Sequence, residues 1–220
     1  MKSLQAKIFP ATTILLLITF LKGTGQAISL TSDSDASSYS YSWYSELLEK
    51  LQVPPITSYP NEQVFRYRDA FKIIQINNTS DKLEGTVTYY LQEYNPKGGE
   101  GRIYKSHLRL TEESIIKINQ LLSDFDIENL PTDKQIKGWK SGTDGRTYTI
   151  EQFRNNKHSF KKYWTPSLQN HLKEGRYMEY FIHEINQIKE ISSAFDKFMA
   201  KQPFKSYYNG YGGMSIVTIQ

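Results

Sequence analysis

Apolar positions along the chain recur with two different periods, and the change of period marks out the elements. From Trp43 to Leu51, Tyr44, Leu47, Leu48 and Leu51 fall at helical spacing, and Pro54-Pro55 stops the helix. The run 64–76, VFRYRDAFKIIQI, alternates instead. Read as one extended strand, it places Phe65, Tyr67, Phe71 and Ile73 on a buried face and Arg66, Arg68 and Lys72 on a wet one. After a turn at 77–82, the β-rich runs 84–94 and 102–110 pair across the loop NPKGGEG, completing a meander. Thr111 then caps a helix with Glu112 and Glu113 in its positive first turn and Ile115, Ile118, Leu121 and Leu122 as its apolar stripe, ending near Asp124.

Alternation returns in 146–153 and 158–164, which read as a hairpin around Asn155-Asn156, residue types that tolerate the positive φ of a tight turn. Beyond Pro166 the spacing of Tyr177, Phe181, Ile185, Ile188, Phe195 and Met199 predicts one long helix over 167–199. A β-rich run, 214–219, closes the chain as an expected edge strand. Strands and helices in this order predict an α+β domain over 43–220: a mainly antiparallel sheet with a long C-terminal helix and a shorter helix packed on one face.

The N-terminus changes the compartment. Lys2 and Lys7 precede an uncharged apolar stretch, 8–21, and Gly25-Gln26-Ala27 offers the small residues read by a signal peptidase, so a signal peptide over 1–27 is expected, cleaved after Ala27. The rival reading, an uncleaved anchor, needs about 20 apolar residues; this run is shorter and contains Pro10. The expected location is therefore secreted or periplasmic, with no membrane span after cleavage. The Ser/Asp-rich stretch 28–42 has no apolar period and is expected to be a flexible leader.

Removing residues 1–27 takes away three lysines and no acid, leaving 24 of the 27 basic residues against 23 acidic ones. The formal charge falls from +4 to +1, which lacks the concentrated positive field that nucleic-acid backbones require. Cysteine is absent, so disulfides, thiol nucleophiles and thiolate metal sites are excluded. The four histidines are scattered: Glu179 and His183 face the same way on a helix but lack a third ligand, and Asp124, Asp126 and Glu128 lack the glycine and distal glutamate of a calcium loop. No cofactor is expected. Ser114 to Lys117 matches S-x-x-K and Lys140-Ser141-Gly142 matches K-S-G, but no S-D-N element accompanies them and the first lies in an amphipathic helix.

The densest cluster of unusual residues is Gly138-Trp139-Lys140-Ser141-Gly142-Thr143-Asp144-Gly145-Arg146, followed by Glu151 and Tyr163-Trp164-Thr165-Pro166. This G-W, D-G, E, Y-W-x-P pattern resembles that of a group of secreted bacterial proteins to which no activity is assigned. The resemblance covers the C-terminal half and implies one whole domain, with no substrate or catalytic residue. On the hairpin register Glu151 faces Phe160, Thr147 faces Trp164, and Lys162 lies diagonal to Glu151. Burial raises a carboxyl pKa and an ammonium lowers it. If burial prevails, Glu151 is a candidate general acid with Asp144 as second carboxylate, as in glycosidases; if Lys162 prevails, the pair is a cross-strand salt bridge, and turn chemistry already explains Asp144-Gly145. The expected function is a non-catalytic binding or interaction module for a glycan, peptide or protein, with Trp139, Asp144, Arg146 and Trp164 at the ligand. A small glycan-directed hydrolase using Glu151 and Asp144, and a secreted inhibitor or structural protein, are the alternatives.

Overall fold

The structure, a computed structural model, describes residues 28–31, 34–59, 62–79, 82–213 and 215–218. The expected signal peptide and its cleavage site lie outside them. Among the described residues nine strands and four α-helices follow in the order β1 (Ser29–Leu30), α1 (Tyr39–Leu51), β2 (Gln63–Arg68), β3 (Lys72–Asn78), β4 (Leu83–Gln92), β5 (Ile103–Arg109), α2 (Glu112–Asp124), β6 (Thr147–Arg154), β7 (Lys157–Trp164), α3 (Lys173–Gln187), α4 (Lys189–Met199), β8 (Ser206–Tyr208) and β9 (Ile216–Thr218). The first seven strands form one sheet in the order β1-β7-β6-β2-β3-β4-β5, antiparallel except for the β1–β7 pair. The mixed α+β architecture and mainly antiparallel sheet follow the expectation. No helix among the described residues is long and apolar enough to cross a membrane.

Local chemistry fixes several elements where the sequence places them. Asn155 and Asn156 take φ of 51° and 57°, the conformation of a two-residue hairpin turn, and they set Glu151 opposite Phe160 and Thr147 opposite Trp164. Thr111 caps α2, its side chain accepting from the Ser114 amide.

Other elements differ. The run 64–76 is two strands, because the Asp69 carboxylate accepts from the amides of Phe71 (2.8 Å) and Lys72 (2.9 Å) and turns the chain. The turn exchanges faces: Phe65 and Tyr67 pair with Ile76 and Ile74, while Ile73 crosses to the side of Arg66 and Arg68. That side is not wet. Helix α1 covers it, so Arg66, Arg68 and Gln75 are buried. Lys72 is also buried, but on the other face, where it is level with Tyr89 and donates to Asn186 Oδ1 of α3 (2.7 Å).

The expected long helix is also interrupted, at Ile188, whose backbone is extended (ψ 109°). An unbroken helix would continue the stripe Phe181, Ile185, Ile188 through Ser192. The break turns α4 so that Ile191 and Phe198 enter the core instead. Residues 28–42, expected as a flexible leader, supply β1 and the first turn of α1, and the Asp35 amide donates to the Phe160 carbonyl. The final strand β9 pairs with β8 in a separate ribbon rather than along the main sheet; Met214 and Ile219 lie outside the described residues.

Helices α2, α3 and α4 pack on one face, with Ile74, Val87, Ile118, Phe181 and Ile185 at the centre of the apolar core. Helix α1 packs on the other through Tyr44, Leu47, Leu48 and Leu51 against Ile73, Tyr90 and Phe160.

Candidate functional site

Glu151 is the carboxylate on which a hydrolytic reading rests. It sits on β6 directly between Arg66 on β2 and Phe160 on β7, beneath α1, and is 1% exposed. Its Oε2 accepts from Arg66 Nη1 (3.3 Å) and from the Tyr44 hydroxyl (3.2 Å), and its Oε1 lies 2.9 Å from His158 Nε2. Arg66 is fully buried and is tied further to Gln75 Oε1 (2.6 Å) and to the Pro54 carbonyl (2.5 Å). Burial, with the Glu151 charge adding to it, pushes the Tyr44 phenol well above its ordinary value, so it stays a hydrogen-bond donor. The counter-charge for Glu151 is therefore Arg66, not the diagonal Lys162. Its oxygens are filled by protein donors, and they hold α1 to the sheet.

Asp144 is exposed in the loop before β6. Four residue steps along the strand separate Thr147, at the loop end, from Glu151, about 13 Å at the usual rise of ~3.3 Å. One carboxylate is at the surface and the other is sealed inside, so the structure does not bring together the acid pair of the hydrolase alternative.

The loop 138–146 folds onto Trp164. A Cβ on Gly142 would lie 2.7 Å from the Trp164 ring, and one on Gly145, whose φ is 154°, would lie 2.9 Å from the indole nitrogen; glycine is required at both. Trp139 donates its indole N–H to the Trp164 carbonyl (3.0 Å), and Gln169, fully buried, exchanges hydrogen bonds with both backbone groups of Lys140. The Trp164 amide donates to Asp133 Oδ2 at 3.1 Å. Trp139 and Trp164 are thus half-buried fastenings of the loop. Arg146 is exposed, reaching Asn209 Oδ1 (3.4 Å) and lying over the Phe71 ring (5.7 Å). The structure brings together Trp139 and Trp164, while Asp144 and Arg146 are exposed.

A further locus was not read from the sequence. Strand β5 is the last of the sheet. The bonds Leu110 N–H to Gly85 and Glu93 N–H to Arg102 fix the ladder phase, so Tyr104, Ser106 and Leu108 bond to β4 while the backbone groups of Lys105 and His107 point outward. Between this edge and α4 runs a groove of about 400 Å³. Tyr89, Tyr104, Leu108, Ala194 and Phe198 supply its apolar lining and Lys197 and Lys201 its basic one, and no acid among the described residues lines it. Lys105 and His107 border it by their backbone, while alternation puts their side chains on the α1 face. There Lys105 Nζ donates to the Leu51 carbonyl (2.7 Å) and the His107 ring meets the Thr88 hydroxyl (3.0 Å). Burial, helped by the Lys105 charge, lowers the His107 pKa. The sequence identifies β5 as a strand, but its edge position depends on the order of all seven strands, which local pattern does not carry.

Among the described residues no three His, Asp or Glu side chains converge as a metal site. Compared with known proteins, the chain matches no family model, no curated protein and no solved structure.

Proposed function

We propose that this chain is a secreted or periplasmic, non-catalytic interaction module that takes an extended, acidic segment of a partner protein as an added strand along β5. The observation that carries the reading is the backbone edge at Lys105 and His107 beside a groove under α4 that no acid among the described residues lines. Main-chain hydrogen bonds to a free sheet edge supply affinity in β-augmentation, and pockets for alternate side chains supply specificity. Here the apolar floor suits every second side chain of the segment, and Lys197 and Lys201 suit carboxylates. Sealed Glu151 and remote Asp144 favour binding over hydrolysis.

The test is fluorescence anisotropy with labelled ten-residue peptides that alternate apolar residues with Glu or with Lys. Saturable binding of the acidic peptide alone is expected. Charge reversal at Lys197→Glu and Lys201→Glu is expected to abolish it, and His107→Pro, which removes one outward N–H from an edge strand that tolerates proline, to weaken it. Equal binding of both peptides, or no effect of the lysine reversals, refutes the reading.

A further inference from the structure

At the opposite edge of the sheet a second, unrelated cleft has the chemistry of an anion cradle. Strand β1 runs parallel to β7 with Leu30 level with His158, and the Thr31 amide donates to the His158 carbonyl at 3.0 Å. Thr31 is therefore level with Ser159, and alternation puts both side chains on the sheet face that carries Lys157 and Lys161. Across the hairpin, Gln152 lies opposite Ser159 and Arg154 opposite Lys157. These six residues line a cleft of about 360 Å³.

Two features of the cleft go beyond a basic surface. Ser159 is only 5% exposed, and its hydroxyl has no hydrogen-bond partner; the Thr31 hydroxyl beside it is likewise buried and without one. Buried hydroxyls are ordinarily satisfied by protein groups, so a pair of them in the wall of one cleft marks a place built to meet something polar. The charge around them is one-sided. Arg154 and Lys157 are exposed at the rim. Lys161 is 3% exposed and donates to the carbonyls of Glu128 (3.1 Å) and Leu130 (2.8 Å), which holds its ammonium in place. Glu128, exposed, is the one acid among the described residues that line the cleft.

We infer that this cleft binds an oxyanion, a sulfate or phosphate ester, through the hydroxyls of Ser159 and Thr31 and the charges of Arg154, Lys157 and Lys161. Hydroxyl donors and a guanidinium fork match a tetrahedral oxyanion. The volume falls at the lower end of ligand pockets, about 300 Å³ upward, so the anion arrives on a larger body such as a sugar.

Titration calorimetry on the full-length exported protein tests this, with inorganic sulfate, inorganic phosphate, a sulfated disaccharide and a sugar phosphate, each at matched ionic strength in chloride. Saturable binding of at least one ester is expected, tighter than its inorganic ion; whether sulfate or phosphate is preferred identifies the source. Ser159→Ala is expected to weaken binding about tenfold or more, the usual effect of losing a hydrogen bond to a charged group. Arg154→Gln with Lys157→Gln, both exposed and remote from the core, is expected to abolish it. Heat signals that do not saturate, or affinities that neither variant changes, overturn the inference. The peptide groove is at the other edge of the sheet, so failure here leaves the β5 reading standing, and failure there leaves this one.

Discussion

Helices α2, α3 and α4 close one face of the sheet with hydrocarbon, Phe181 meeting Tyr67 edge to face at 5.5 Å, whereas α1 closes the other over Arg66, Glu151 and His158 set among Tyr44 and Phe160. The first face stabilises the fold by removing apolar surface from water, roughly 25 cal/mol for each Å². The second gains little net energy, because desolvating two charges offsets their attraction. It does fix how α1 docks, since every group in it has a partner that sliding would take away. Glu151 is sealed under α1 and 1% exposed, which is why the functional reading moves to the two edges.

Substitutions separate the faces by size of effect. Phe181→Ala is expected to cost the most, about 3–5 kcal/mol in urea unfolding, as a large aromatic lost from a packed interior; a loss under about 1 kcal/mol would mean that the face is loosely packed. Glu151→Gln is expected to cost about 3 kcal/mol, because the Arg66 guanidinium is left buried without its counter-charge. An exposed cross-strand pair would lose less than about 1 kcal/mol, so the same unfolding curves distinguish the two environments. Tyr44→Phe removes only one of the donors to Glu151 and is expected to cost about 1.5 kcal/mol.

The partner of Glu151 is also where sequence reading stops. The hairpin register was legible because Asn155-Asn156 fixes it locally. Arg66 lies 85 residues from Glu151, and its alternation with Phe65 and Tyr67 looks like an ordinary solvated face until α1 is laid over it. The Asp69 turn was hidden because a carboxylate bonding two amides interrupts a run whose composition is strand throughout. The break at Ile188 carries no proline or glycine; only the burial of Ile191 and Phe198 reveals the shift. Of the candidate site, the loop 138–146 and Trp164 were recognised as a unit, while their mutual packing was not.

A smaller effect sharpens the comparison through a buried carboxylate lacking a close cation. Burial raises the Asp133 pKa more than the Lys162 charge and the Trp164 amide lower it. The folded state thus takes up the proton more readily than the unfolded one, so this group's charged form costs stability at neutral pH, and the cost is relieved as pH falls through the raised value. Asp133→Asn is expected to raise the melting temperature slightly at pH 7, with the difference vanishing below about pH 4, the ordinary carboxylate range. A variant less stable than wild type at pH 7 would mean that the charged bond to the Trp164 amide prevails.

The most direct measurement is a double-mutant cycle on Arg66→Met and Glu151→Met, read by urea unfolding. If the pair is a structural tie, each single change leaves one buried charge and costs about 3–5 kcal/mol, while the double change, with no charge left and similar volume, costs no more than either single. Losses that simply add would contradict a structural role for Glu151 and return it to the list of residues free to do chemistry.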